Sequence, residues 1–245
     1  MKMDREKRVV LSQRLTALAC MVTPGNRVCD IGCDHGFLSI YLVQEQISPA
    51  VIAMDVREGP LSRAREHVAY YGLDAYIETR LSDGTKALHP GEAQTLVCAG
   101  MGGRLMQEIL TAGRTLCHEM NELILQPQSE IMAFRKYLRE EGYRIADENM
   151  IKEDGKYYPM IKVVYLGERQ PDPGSPADRF GEKNIKNANP VLKEYLLQRL
   201  PVLKEIENRI LKEGAEESGA VKVRLADLKA EKEDICAALE KMCAK

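Results

Sequence analysis

The densest run of residues able to do chemistry in this 245-residue chain is Arg27-Val28-Cys29-Asp30-Ile31-Gly32-Cys33-Asp34-His35-Gly36. An apolar stretch ends there on an acid and a glycine, and a helical pattern opens after a short turn. Glycine lets backbone approach a ligand closely, and a helix start leaves unpaired amides for an anionic group. A dinucleotide fingerprint reads G-x-G-x-x-G, whereas this turn has Gly32 and Gly36 with Asp34 where a second glycine belongs. A carboxylate facing a pyrophosphate is repelled, by roughly 4 kcal/mol for unit charges about 4 Å apart at an effective dielectric near 20. A cation is attracted instead, so Asp30 and Asp34 suit an ammonium or a sulfonium.

Two further acids stand at equivalent places. Ala53-Met54-Asp55 ends the next apolar run about twenty residues after the turn, where a carboxylate accepts hydrogen bonds from ribose hydroxyls. Leu81-Ser82-Asp83-Gly84 follows the third run, where an acid beside a flexible turn suits an adenine amino group. S-adenosylmethionine (SAM) carries a sulfonium, an ammonium, a ribose and an adenine, and so matches all of these acids. The competing structural reading makes Asp30 and Asp55 helix caps and Asp83-Gly84 a plain turn.

Placing acids at successive strand ends requires repeated β-α units. Short apolar runs near 27–31, 50–54, 76–80, 95–99 and 122–126 alternate with helical patterns near 36–46, 58–71, 103–117 and 130–141. The strands are almost continuously apolar, as in a parallel sheet covered by helices on both faces. Residues 143–150 and 157–166 then form an extended pair joined at Glu153-Asp154-Gly155-Lys156, which reads as a hairpin turn. The fold class is therefore α/β, a doubly wound parallel sheet finishing in an antiparallel pair.

Residues 167–176 hold three prolines and two glycines and read as a linker between residues 1–166 and 177–245. Beyond it, Leu192, Leu196, Leu200, Leu203, Ile206 and Ile210 form one helical stripe. Val221, Leu225, Leu228, Ile235, Leu239 and Met242 form another, interrupted by Lys232. With a turn over residues 213–219, the two stripes predict a helical hairpin, and Pro201 is expected to bend its first helix or begin a new one. The hairpin either merely packs or dimerises, or it is an arm that touches a large substrate.

Composition narrows the class. With 44% apolar and 29% charged residues the chain is globular, and no apolar run approaches the roughly 18 residues needed to span a bilayer. The charged start lacks a signal-peptide core, so a cytoplasmic protein without a membrane partner is expected. Seven cysteines without a C-x-x-C pair suggest reduced thiols and no metal site. Net charge is −2, yet residues 1–27 hold Lys2, Arg5, Lys7, Arg8, Arg14 and Arg27 against Asp4 and Glu6. Such a basic segment is either a solvated face or a surface for phosphate.

The chain resembles the SAM-dependent methyltransferases with a Rossmann-like, seven-stranded sheet, and within them the bacterial tRNA (adenine-22-N1)-methyltransferases. The narrower resemblance is carried by Leu11-Ser12-Gln13-Arg14-Leu15, Asp30-Ile31-Gly32-Cys33-Asp34-His35, Leu81-Ser82-Asp83-Gly84, Ala99-Gly100-Met101-Gly102-Gly103, Leu123-Ile124-Leu125-Gln126-Pro127 and Glu153-Asp154-Gly155-Lys156. It runs from about residue 5 to 166, and the C-terminal hairpin is similar to that family's coiled coil. The resemblance implies a SAM-dependent transfer of methyl to N1 of a tRNA adenine. Cofactor contacts are then expected from Arg14, Asp30, Gly32, Asp34, His35, Gly36, Asp55, Asp83, Gly84, Ala99 and Gly100. Arg14 and His35 are candidates for the SAM carboxylate.

The fourth strand end fits that chemistry. Methylation of exocyclic N6 usually employs an Asn/Asp-Pro-Pro-aromatic loop there, whereas this chain has Gly100-Met101-Gly102-Gly103, without a side-chain acid or base. Adenine N1 has an in-plane lone pair and reacts without prior loss of a proton, so alignment supplies most of the acceleration. Gly100, Met101, Gly102 and Gln126 are the candidates for positioning the base, and no catalytic residue is assigned. Tyr157 and Tyr158 either stack a base or pack in the core, while His67, His89 and His118 stand alone in sequence. Phosphate contacts are expected from the N-terminal segment and from Lys183, Lys186, Lys193 and Arg199, in a monomer or a weak dimer through the hairpin. Two rivals remain at this level: a methyltransferase of a small molecule or protein, and a non-catalytic SAM-binding scaffold.

Overall fold

The computed structural model describes residues 8–212 and 219–244. In chain order the elements are α1 (Gln13–Met21), β1 (Val28–Ile31), α2 (Phe37–Gln44), β2 (Val51–Asp55), α3 (Glu58–Tyr70), β3 (Ile77–Leu81), β4 (Thr95–Met101), α4 (Gly103–Ala112), α5 (Arg114–Glu119), β5 (Glu122–Pro127), α6 (Ile131–Glu140), β6 (Tyr143–Glu153) and β7 (Lys156–Tyr165), followed by α7 (Ser175–Phe180), α8 (Glu182–Lys186), α9 (Pro190–Lys212) and α10 (Gly219–Cys243). The strands form one seven-stranded sheet in the order β3-β2-β1-β4-β5-β7-β6. The first five are parallel, and β7 pairs antiparallel to β5 with Leu123 opposite Val163.

Successive residues of each central strand enter different cores. Val28, Val97 and Ile124 join the cluster under α1, α2 and α3, whereas Cys29, Leu96, Cys98, Leu123 and Leu125 join the one under α4, α5 and α6. Two apolar faces explain why these strands read as unbroken apolar runs. Asp30 lies between Cys29 and Ile31, and its side chain meets Ser39 of α2. The β6–β7 turn has positive φ at both Asp154 (48°) and Gly155 (75°), as a two-residue hairpin with the native twist requires.

Several expectations need correction. The helix expected over 103–117 breaks into α4 and α5 at Gly113, where a Cβ would collide with the Thr85 side chain. Helix α9 runs through Pro201 without starting anew. The stretch expected to be a linker already contains the start of α7 at Ser175, and α7 and α8 were not foreseen. Of the turn expected at 213–219, only Gly219 lies within the described residues.

The chain divides into two compact units. One runs through Pro171 apart from Glu148–Met150, and the other comprises those three residues and the chain from Asp172 onward. Within the second unit, Asp234 of α10 accepts from Ser175 Oγ at 2.6 Å and Arg179 Nε at 2.8 Å, fastening α7 to α10. Helices α9 and α10 are joined by the pairs Arg199–Glu231 and Lys232–Glu207, so Lys232 breaks its apolar stripe in favour of an ion pair.

One polar cluster fixes the sheet at the end opposite the acid-bearing turns. The buried Glu122 carboxylate, at the start of β5, accepts from Thr23 N (2.7 Å), Thr23 Oγ1 (2.6 Å) and Thr95 Oγ1 (2.9 Å), and pairs with Lys162 Nζ of β7 at 2.6 Å. Burial pushes its pKa up, but Lys162 and the threonine donors outweigh this and hold it below the usual carboxylate range. Glu122→Ala removes the counter-charge of Lys162, which keeps its bonds to Met21 O and Thr23 Oγ1, and leaves three donors without their acceptor, and is expected to cost about 3 kcal/mol in urea unfolding. Glu122→Gln, which keeps part of the acceptor set, is expected to cost less. Equal stability of Glu122→Ala and the parent protein would show that the cluster contributes nothing.

Candidate active site

At the C-terminal ends of β1, β2, β3 and β4 lies a cavity of about 400 Å³ lined by Arg14, Gly32, Asp34, Asp55, Asp83, Gly84, Ala99, Gly100 and Met101, among others. A smaller one of about 100 Å³ shares Arg14, Gly32, Asp34 and Ala99 with it and adds Asp30, Cys33, His35 and Phe37. The two are halves of one crevice over the β1–α2 turn, where open α/β sheets bind ligands. A larger groove of about 620 Å³ lies at the edge strand β3. Its arginines are engaged with neighbouring groups: Arg80 holds Glu78, Glu92 and the Ala87 carbonyl, and Arg65 holds Glu58 and Thr79. The acids singled out by the sequence line the strand-end crevice instead.

The β1–α2 turn is folded against β2. The amides of Gly32 and Cys33 both donate to Met54 O, at 2.8 and 2.9 Å. Gly32 has φ 74°, a left-handed conformation that favours glycine, and a Cβ there would meet only the mobile end of Met101. The Asp55 carboxylate accepts from Arg57 N at 2.9 Å and Asp34 N at 3.3 Å, which orients it toward the turn while it still lines the larger cavity. Asp55 does not cap α3, whose N-cap is Arg57 without a side-chain cap bond. Ser82 caps the β3 turn through Gly84 O and Ala87 N, and Asp83 beside it pairs with Lys86.

Asp30 is 4% exposed, and its carboxylate accepts from Ser39 Oγ at 2.7 Å. Burial raises its pKa to about 6, the Ser39 hydrogen bond opposing the rise and the Asp55 charge adding to it. Asp34 stands at φ 49° and faces His35, whose Nε2 is 3.6 Å from its Oδ2. His67 is not isolated in space: its Nδ1 lies 2.9 Å from His35 O, and its ring stacks on Phe37, which also stacks on His35. His118 is remote from the crevice, stacked on Tyr165, and burial lowers its pKa.

Arg14, the one arginine lining both halves of the crevice, comes from the first turn of α1, which Ser12 caps. Its Nη1 donates to Gln126 Oε1 at 3.1 Å, its guanidinium lies over the Tyr158 ring, and its amide donates to Glu153. Strand β4 shifts register between Ala99 and Met101, and the extra residue, Gly100, has φ 78°. This bulge turns the end of β4 toward the crevice.

Of the residues expected at the site, Gly36, Gly102 and Gln126 do not line the crevice. Gly36 begins α2 in the left-handed region and lets it approach Ala64 of α3. Gly102 begins α4 against Ser129. Gln126 is fully buried, with Oε1 facing Arg14 and Nε2 facing Pro127 O, so it is turned away from any base edge. Sequence reasoning missed Ser39, Arg57, Leu105 and Gln128, of which the last three line the larger cavity.

Lys2, Arg5 and Lys7 lie outside the described residues, Arg8 pairs with Glu45, and Arg27 holds Gly91 O and Gln94. Arg199 pairs with Glu231 at 2.7 Å and is not an open phosphate contact. No helix among the described residues is long and apolar enough to cross a membrane, and no group of potential metal ligands occurs among them.

The methyltransferase domain family matches residues 11–161. The chain is 36% identical over 159 residues to the tRNA (adenine(22)-N(1))-methyltransferase of Bacillus subtilis, a match covering 65% of this chain and 66% of that protein. Among solved structures it superposes on the B. subtilis M1A22 tRNA methyltransferase TrmK with TM-score 0.83 at 31% identity, covering 94% of this chain and 99% of that one. It also superposes on a Streptococcus pneumoniae protein in complex with S-adenosyl-L-methionine, with TM-score 0.81 at 28% identity, covering 94% and 100% of the two chains.

The acid set fits such a ligand and gives a pH test. Below pH about 6 Asp30 takes up a proton and no longer attracts a cation. SAM affinity by calorimetry is expected to be level above pH 7 and to fall roughly tenfold per pH unit below 6. Asp30→Asn is expected to bind weakly with little pH dependence. For folding the sign is the reverse: the raised pKa contributes stability to the ligand-free protein that is full below about pH 4 and lost as pH rises through 6. A wild-type affinity that is flat from pH 5 to 8 would remove Asp30 from the site.

Proposed function

The chain belongs to the methyltransferase domain family, on the branch of the tRNA (adenine-22-N1)-methyltransferases, and we propose that it transfers a methyl group from SAM to N1 of adenine 22 in tRNA. The observation that carries this reading is the pairing of an acid-lined crevice at the ends of β1, β2 and β3 with a β4 end that carries no side-chain acid or base.

In this reading Asp55 accepts from ribose hydroxyls while the amides of Asp34 and Arg57 hold its carboxylate in place. Asp83 faces the adenine amino group. Asp30 and Asp34 supply negative charge to the cationic half, and Arg14, kept in position by Gln126 and Tyr158, supplies the positive charge for a carboxylate. SAM brings an already electrophilic methyl group when bound. The protein's task is to present adenine N1 to it, and the bulged Gly100 lets backbone, rather than a side chain, line that approach.

The target adenine must leave its stack to enter such a crevice, at a cost of a few kcal/mol that contacts with folded RNA offset. On the second unit, the exposed Lys193 of α9 and the half-buried Lys183 of α8 are the phosphate contacts we assign. The protein acts in the cytoplasm, where its seven free thiols remain reduced.

Incubation with SAM and unmodified tRNA, followed by nucleoside mass spectrometry, is expected to give 1-methyladenosine at position 22, with no methyl incorporation into protein extract or metabolites. Methyl groups found only on protein or small molecules would overturn the reading. Asp55→Ala and Asp55→Asn are expected to weaken SAM binding about tenfold to a hundredfold in calorimetry, the loss of hydrogen bonds to a charged acceptor. Unchanged affinity in both variants would break the assignment of the ribose contact.

A further inference from the structure

Two glutamines stand two residues apart at the end of β5, and their side chains have opposite fates. Gln126 is fully buried and both ends of its carboxamide are engaged. Gln128 is exposed, lines the larger cavity, and its carboxamide has no hydrogen-bond partner among the described residues. Its Nε2 lies 3.7 Å from where a Cβ on Gly100 would sit, directly over the bulge.

The backbone beneath it is firmly held. Gln128 N donates to Met101 O at 2.9 Å, Gly103 N to Ser129 O at 3.2 Å, and Arg104 N to Glu130 Oε2 at 3.1 Å. These three bonds stitch the segment carrying Gln128 to the run from Met101 to Arg104. A carboxamide on such a support offers one donor and one acceptor side by side from a fixed base. Met101 and the half-exposed Leu105 supply apolar surface in the same cavity for a flat ring.

We propose that Gln128 reads the N6/N7 edge of the target adenine, its Oε1 accepting from the N6 amino group and its Nε2 donating to N7. This inference rests on the methyl-transfer reading above and deepens it by naming the residue that selects and orients the base. Adenine N1 must stay uncovered to react, so a residue clamping the Watson–Crick edge would block the atom it serves. The N6/N7 edge presents a donor beside an acceptor, the complement of a glutamine carboxamide, and leaves N1 open. Guanine presents two acceptors on that edge, so the carbonyl half of the carboxamide would face an acceptor there.

The test compares tRNA carrying adenosine at position 22 with tRNA carrying 7-deazaadenosine, which lacks the N7 acceptor, using the wild-type protein and Gln128→Leu. For the wild type, kcat/KM is expected to fall about tenfold on the deaza substrate. For Gln128→Leu it is expected to fall about tenfold to a hundredfold on adenosine, with little further loss on 7-deazaadenosine. The melting temperature is expected to match the wild type, which separates lost base contact from a damaged fold. A wild type indifferent to N7 overturns the inference without need of a variant, as does a Gln128→Leu protein that keeps the full deaza penalty. A wild type that forms no 1-methyladenosine on native tRNA overturns the methyl-transfer reading itself, a different failure.

Discussion

Placing several carboxylates at neighbouring strand ends is electrostatically unfavourable, and the structure depends on how that repulsion is answered. Asp55 accepts from two backbone amides, Asp34 N in the β1–α2 turn and Arg57 N just after β2, whereas Asp30 has one hydroxyl and almost no water. The difference is visible in Asp30, whose proton affinity rises until it titrates near pH 6. An acid held so poorly by its surroundings gains most from an incoming cation. In the reading proposed above, the charge of Asp30 favours a cationic ligand over a phosphate.

The same logic explains the glycines that matter. The β1–α2 turn presses its amides onto Met54 O through a left-handed residue, the backbone conformation that favours glycine at Gly32. At Gly100 the register shift takes one residue out of the β4–β5 ladder and redirects the strand end over the crevice. A sheet that otherwise follows regular pairing is thus irregular where it borders the crevice.

Much of this was legible in the sequence because it depends on local pattern. Unbroken apolar runs betrayed strands covered on both faces, acids after those runs marked the ligand edge, and Asp154-Gly155 announced the hairpin. What escaped depends on partners distant in sequence. Ser39 is an ordinary helix serine until the fold sets it against Asp30. Gln126 reads as a base contact until Arg14, 112 residues away, takes its carbonyl. Gly113 lies so close to Thr85 that a side chain there would meet it, and Arg199 is lost to phosphate because Glu231 claims it. Isolated motifs cannot report such competition.

Burial of Gln126 also bears on catalysis. Had it faced the substrate, the site would lose the carbonyl that orients Arg14, leaving a guanidinium held only by the Tyr158 ring and free to drift toward the carboxylates around it. Spreading the work over two residues avoids this, since one glutamine fixes the arginine on the cofactor side while the other remains open on the acceptor side. For a nucleophile that already carries its lone pair, a protonating or deprotonating group adds little, and misplacement by an ångström costs about two orders of magnitude in rate. A site built from bulged backbone, a clamped arginine and an open carboxamide supplies what that chemistry lacks, which is alignment.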